Sequence, residues 1–340
     1  MATWTSTLDR AGITDPALRH DYGEQRRLVA RYARAEYTAV RLLLPAPLVP
    51  DVIAATAFMH LTDDRIDRGP VSERIAALAA WDQQVRAALD GGPADQPLLR
   101  TLRHTVARHP QLEGCVREFL AGAPSEVHCE GFATEADFQH YIDTYSLPGF
   151  MLIACLLAPS TPTADYVAGC RTFIEASQRL DFLDDIAEDL SDGRLGIPED
   201  ALARHGLTRS DLFDPNEPTG RGPAAGPATP GVDSAFRDLV HHQAPLVRGG
   251  LAASHPLTEL VAPPHRPLIR ALLTLQEHRL RAVENKGPAL LRGATRPPIA
   301  AALRILAREY RAARGQREAV QHPGREGGAD DGVATATRRG

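Results

Sequence analysis

Lysine is almost missing from this chain: Lys286 is the only one, so arginine carries nearly all of the positive charge. With abundant Ala, Gly and Pro, that bias points to a GC-rich genome more than to a function. No dense basic run occurs, and 43 acidic residues stand against 38 basic ones, which argues against nucleic acid as the main partner. Cysteine is scarce as well. Cys115, Cys129, Cys155 and Cys170 show no CxxC spacing and fall in helical-looking segments, the pattern of buried free thiols in a reducing cytoplasm. The N-terminus has early acids and no apolar core of a signal peptide. The longest apolar run, Phe150 to Ala158, is too short to cross a bilayer, so no integral membrane segment is expected. Alternating runs of β-branched residues are absent too. What is left is a cytoplasmic all-α protein, with an apolar fraction of 43% that is ample for a core.

Helical periodicity covers about 22–43, 47–68, 72–90, 96–108, 111–128, 135–157, 163–191 and 199–205. It resumes at about 234–252, 264–286 and 296–314. Breaks coincide with Pro45, Pro47 and Pro50, Gly91-Gly92-Pro93, Pro110, Pro159 to Pro162, and Gly193. The expected organisation is an N-terminal extension (1–21), one helical domain (22–315) with a flexible Pro/Gly-rich loop (214–233), and a disordered tail (316–340).

Two acidic stretches carry the chemistry: Asp63-Asp64-Arg65-Ile66-Asp67 and Asp184-Asp185-Ile186-Ala187-Glu188-Asp189. In each, two aspartates stand at i and i+4 (Asp63/Asp67 and Asp185/Asp189), one helical turn apart, where like charges repel by about 0.2–0.5 kcal/mol. Gln178, Asp181, Asp185 and Asp189 share one helix face, and alone they would read as a solvated acidic stripe. The stripe of Thr56, His60, Asp63 and Asp67 is less ordinary, because it lies in a segment of otherwise low polarity. Facing one another, the two stripes would crowd four carboxylates into one cavity. Carboxylates with room for water and a phosphate ligand suit Mg²⁺, so the pair points to a divalent-metal site that grips a diphosphate.

These residues resemble the squalene/phytoene synthase family. The likeness includes Leu44-Pro45, the 17-residue gap to Asp63-Asp64-x-x-Asp67, and Gln178-x-x-Asp181-x-x-x-Asp185-x-x-x-Asp189 followed by Gly193-Arg194, Pro198, Leu202 and Gly206. Gly122 and Glu126 match the family's central G-x-x-x-D element, with Glu for Asp. The resemblance implies a single-domain, isoprenoid-synthase-type helical bundle with a central cavity. It also implies Mg²⁺, two or three ions held by Asp63, Asp67, Asp185 and Asp189, and a prenyl diphosphate as substrate. His60, Asp64, Gln178, Asp181 and Arg194 would contact or orient the substrate.

The sequence departs from the family where cations are expected. His60 and Asp184 stand where the family has arginine, Asp181 stands for asparagine, and Ala33-Arg34-Ala35-Glu36-Tyr37 lacks most of the family's phosphate-binding side chains. Asp for Arg beside a phosphate reverses a charge. The expectation is therefore a prenyltransferase that ionises one allylic prenyl diphosphate and alkylates an aromatic acceptor, as in carbazole- and phenazine-type branches of secondary metabolism. The alternative is head-to-head condensation of two prenyl diphosphates. A non-catalytic assembly paralogue is the third reading, and the intact aspartates speak against it.

Overall fold

Short polar side chains start the helices where the chain turns. The computed structural model describes residues 2–67, 69–212, 230–296 and 299–321. The side chain of Thr3 caps α1 (Trp4–Arg10), and Asp15 Oδ1 accepts the Leu18 N–H at 2.8 Å ahead of α2 (Pro16–Tyr32), whose first residue is proline. The chain then bends at Ala33 into α3 (Arg34–Leu43), so the single helix expected over 22–43 is two. Next come α4 (Val49–Ile66), α5 (Val71–Leu89), α6 (Pro97–Arg108) and α7 (Gln111–Val127). A capping box between Thr134 and Asp137 opens α8 (Glu135–Tyr141), and a π-helical stretch, Ile142–Ser146, joins it to α9 (Leu147–Leu157).

After Thr163, another side-chain cap, runs α10 (Ala164–Asp184). It stops at Asp185, and α11 (Ile186–Ser191) follows, so the helix expected over 163–191 is broken inside the acidic motif. Short helices α12 (Glu199–Ala203) and α13 (Arg209–Leu212) precede α14 (Pro230–Ala253), α15 (Leu257–Leu260), α16 (Arg266–Lys286) and α17 (Ile299–Gln321). No strand occurs among the described residues; a lone bridge pairs Gly131 with Leu195.

Burial explains the order. Val52, Ile53, Ala54, Ala55, Ala57 and Phe58 are all sequestered, so α4 is apolar around most of its girth and sits at the centre. Neighbouring helices close a circuit around the middle: α4 packs on α9, α9 on α10, α10 on α16, α16 on α3, and α3 back on α4. The first 21 residues join this body, since Leu8, Ile13 and Tyr22 bury against Ala54 of α4. At the other end, residues 316–321 continue α17; the rest of the expected tail, and residues 214–229 of the expected loop, lie outside the described residues. All four cysteines are free, and no described helix is long and apolar enough to cross a membrane.

Gly122 has a specific task. A Cβ there would lie 1.8 Å from the Thr144 carbonyl oxygen, so only glycine lets α7 approach the π-helical stretch. That contact matters because the same stretch carries Tyr145 and Ser146 into the site.

Candidate functional site

Both acidic motifs sit at helix C-termini, where the backbone dipole disfavours negative charge. Asp67 caps α4, with its N–H on the Asp63 carbonyl at 3.0 Å. Asp185 occupies the break between α10 and α11 (φ −94°, ψ 9°), its N–H on the Asp181 carbonyl at 2.8 Å. The i, i+4 pairs therefore do not lie on continuous helix faces: one of the two ends a helix and the other straddles a break.

The π-helical stretch ties the motifs together. Tyr145 donates its hydroxyl to Asp63 Oδ1 at 2.9 Å, and the neighbouring Ser146 donates to Gln178 Oε1 at 3.4 Å. Burial pushes Asp63 up to about 7; the Tyr145 hydrogen bond opposes this, while the Asp67 and Glu126 charges add to it. Glu126 is itself pushed up by burial, held back by Arg194, whose Nη2 lies 2.7 Å from Oε1. Asp189 is raised to about 6 by burial, opposed by Arg194. Asp185 is also raised to about 6, by burial and by the charges of Asp181 and Asp184, with Arg279 opposing. A line of charge thus runs from Asp63 and Asp67 through Glu126 and Arg194 to Asp189 and Asp185.

Two cavities open on this line. His60, Asp63, Asp64 and Asp67 line one of about 280 Å³ with Leu28, Tyr32 and Leu61. Burial lowers the proton affinity of His60, countered by Glu36. The other, about 730 Å³, joins Asp67 to Glu126, Asp192 and Arg194. Arg65, inside the first motif, turns away; its guanidinium stacks 4.0 Å from the Trp81 ring centre.

The charge attributed to Asp184 requires correction. Its side chain is buried, accepting the Thr295 N–H at 2.7 Å and the Thr295 hydroxyl at 2.9 Å. Arg279 of α16 reaches it at 3.4 Å and binds Asp181 at 2.6 Å. Asp184 is therefore a buried, hydrogen-bonded group that shares one arginine with Asp181, and not a bare anion facing a phosphate, and Asp181 is an arginine partner before it is a ligand. Nothing in the local pattern of α16 singles out Arg279, which is why sequence reasoning missed it. Tyr145 was missed because 3.6-residue periodicity gives no sign of a π-helical stretch.

Do these residues fit a divalent cation? Asp63, Asp185 and Asp189 release their protons at higher pH than aqueous carboxylates do, and Asp189 Oδ2 and Glu126 Oε2 are buried without hydrogen-bond partners. Hard oxygen donors short of positive charge suit Mg²⁺ in kind. Among the described residues no three His, Cys, Asp or Glu side chains converge closely enough to hold an ion by themselves. These residues do not form an all-protein cage; a cation that keeps waters and shares a phosphate needs fewer protein donors.

An all-α circuit with two acidic motifs at helix ends defines the class, a helical isoprenoid-synthase fold. The chain belongs to the squalene/phytoene synthase family, whose profile matches residues 30–314. It is 32% identical over 202 residues to the bifunctional protein CrtB/UppS of Streptomyces coelicolor, covering 59% of this chain and 35% of that protein. It is 26% identical over 212 residues to the 15-cis-phytoene synthase of Synechococcus elongatus, covering 58% and 67%. Among solved structures, the squalene synthase HpnC of Alicyclobacillus acidocaldarius matches with a TM-score of 0.68 at 22% identity, over 82% of this chain and 98% of that one. A dehydrosqualene synthase matches at 0.69 and 17% identity, over 89% and 98%. At those identities the two structures speak for the fold alone.

Proposed function

We propose that this protein is a Mg²⁺-dependent transferase that joins two allylic prenyl diphosphates head to head, with loss of two diphosphates and two protons to give a hydrocarbon of the phytoene type, or of the squalene type where a hydride donor is supplied as co-substrate. The observation that carries this reading is the Arg279 contact with Asp181 and Asp184. The case for an aromatic acceptor rested on His60 and Asp184 standing where the family has arginine and on the phosphate-binding side chains missing from Ala33-Arg34-Ala35-Glu36-Tyr37; of these, Asp184 has a cation beside it in Arg279. Of the curated relatives named above, the one from Synechococcus elongatus is a 15-cis-phytoene synthase, and neither is called an aromatic prenyltransferase. The aromatic-acceptor reading is withdrawn in favour of its alternative.

Asp63, Asp67, Asp185 and Asp189 would hold the metal. When bound, it neutralises the diphosphate and makes it a leaving group. The protein supplies orientation: Tyr145 fixes Asp63, while Arg194 and Arg279 keep fixed positive charge beside the second motif. Water must be kept from an allylic cation, and a stack of rings adjoins the site for that purpose. Tyr145 lies 5.5 Å from Phe119 and 5.6 Å from Tyr141, which continues to Phe132 at 5.2 Å. Ring faces also stabilise positive charge by cation–π attraction.

The test is incubation of the purified protein and Mg²⁺ with farnesyl or geranylgeranyl diphosphate as sole substrate, followed by mass analysis. A C30 or C40 hydrocarbon is expected. Prenyl alcohol alone, or efficient prenylation of an added tricyclic aromatic in its place, would overturn the assignment.

A further inference from the structure

The first turn of α5 carries an arginine whose hydrogen bonding is incomplete. Arg74 donates Nη1 to the Ile66 carbonyl at 2.8 Å, which ties it to the end of α4, one residue before Asp67. Its Nε is buried without a hydrogen-bond partner, and Nη2 has none among the described residues. Nε–H and Nη2–H point in parallel along one edge of a guanidinium, and that edge matches two oxygens of a carboxylate or phosphate. Arg100 uses this edge on Asp21, at 2.6 and 2.8 Å. In Arg74 the contact with Ile66 occupies the opposite corner and leaves the paired edge open. The residue lines the cavity of about 730 Å³ that also holds Asp67, Glu126 and Arg194. Glu130 and Asp192 line it as well, yet Arg74 pairs with no carboxylate among the described residues.

We propose that Arg74 binds the diphosphate of a prenyl substrate, its Nε and Nη2 donating to two oxygens of one phosphate. The identity of the ligand rests on the function proposed above; the open edge does not. Other arginines around the two motifs are committed: Arg65 stacks on Trp81, Arg194 holds Glu126, and Arg279 is shared by Asp181 and Asp184. Two diphosphates beside acidic motifs need positive charge from the protein as well as from the metal, and Arg74 has donors to spare. The surroundings select the ligand. Asp67, Glu126, Glu130 and Asp192 repel an anion that brings no cation with it, which disfavours a simple carboxylate, whereas a diphosphate carries Mg²⁺. Because Nη1 is already anchored on Ile66, binding orders little further side-chain freedom.

Calorimetric titration of the full-length protein with inorganic pyrophosphate and Mg²⁺ tests it without reference to activity. The wild type should bind, and Arg74→Gln should weaken binding on the order of tenfold or more, the worth of hydrogen bonds to a charged group. Arg74→Lys, which keeps a point charge without the paired edge, should fall between them. Arg86→Gln, at the far end of α5 and paired with Asp82, should bind as the wild type does. Wild-type affinity in Arg74→Gln overturns the proposal, as does failure of the wild type to bind. A lower Tm of free Arg74→Gln with unchanged affinity shows that Arg74 only fastens α4, and overturns it too. If Arg74→Gln does not fold, Arg74→Lys decides in its place, and unchanged affinity there is the refuting result. Product analysis separates this proposal from the one above. Weakened pyrophosphate binding in Arg74→Gln, with no hydrocarbon made by the wild type, supports the role of Arg74 and removes the head-to-head reading. Hydrocarbon made by Arg74→Gln with wild-type kcat/KM removes the role of Arg74 alone.

Discussion

Replacing Arg279 by methionine should destabilise the fold through Asp184, a residue 95 positions earlier in the sequence. The Asp184 side chain is only 6% exposed, and its neighbours Asp181 and Asp185 are also acidic. Removing one partner of a buried ion pair costs about 3–5 kcal/mol when the other is left without compensation. Here the loss is smaller. Thr295 still offers Asp184 its N–H at 2.7 Å and its hydroxyl at 2.9 Å, and Asp181 is half-buried and can turn to water. A cost of about 2–3 kcal/mol follows, a fall in Tm of about 3–5 °C for a domain of this size. Asp184→Asn in the Arg279→Met background should recover about half of it, because an amide keeps hydrogen bonds to Thr295 without the charge. Thermal unfolding followed by circular dichroism at pH 7.5 measures Arg279→Met, Asp184→Asn and the double variant. A coupling energy below about 0.5 kcal/mol between the two positions would refute the reasoning, since residues in direct contact exceed that value.

Asp67→Ala and Asp185→Ala should each abolish turnover of a prenyl diphosphate while leaving the helical signal near wild type; activity retained in either, or wild-type turnover in excess chelator, removes the metal assignment. Asp63 titrates near 7 and Asp185 and Asp189 near 6 in the folded state, all above the unfolded value of about 4. The folded protein thus binds protons that the unfolded state has released, so without divalent ions these groups should make Tm rise as pH is lowered from about 7.5 to 5. Mg²⁺ should raise Tm at pH 7.5 and lose that effect near pH 5; a flat profile from both measurements counts against a cation-starved site. Gly122→Ala forces a Cβ against the Thr144 carbonyl and should cost about 2–3 kcal/mol, with loss of activity as Tyr145 leaves Asp63, whereas Gly114→Ala, in open space on the same helix, should be near neutral.

Helical periodicity, proline and glycine breaks and the two acidic motifs were legible in the sequence itself, because each depends on residues within a turn or two of one another. So was the family likeness, which uses the same local spacings. The breaks inside helices were not. Ala33 and the interruption at Asp185 carry no local breaker, while the π-helical stretch Ile142–Ser146 runs up to Pro148, which has no N–H for the Thr144 carbonyl; packing adds to both, as α3 turns to reach α16 and α17, and the π-helical stretch lies against α7 at Gly122. Charge was misread for the same reason. A sequence shows the sign of Asp184 and not its surroundings, and the cation that it shares with Asp181 arrives from α16, which is remote in the sequence. Local order along the polypeptide determined which residues form helices and which of them carry acid. Only the packing of distant helices decided which carboxylates are buried, which have an arginine beside them, and which remain short of positive charge, because desolvation and Coulomb energy depend on distance in space and not along the sequence.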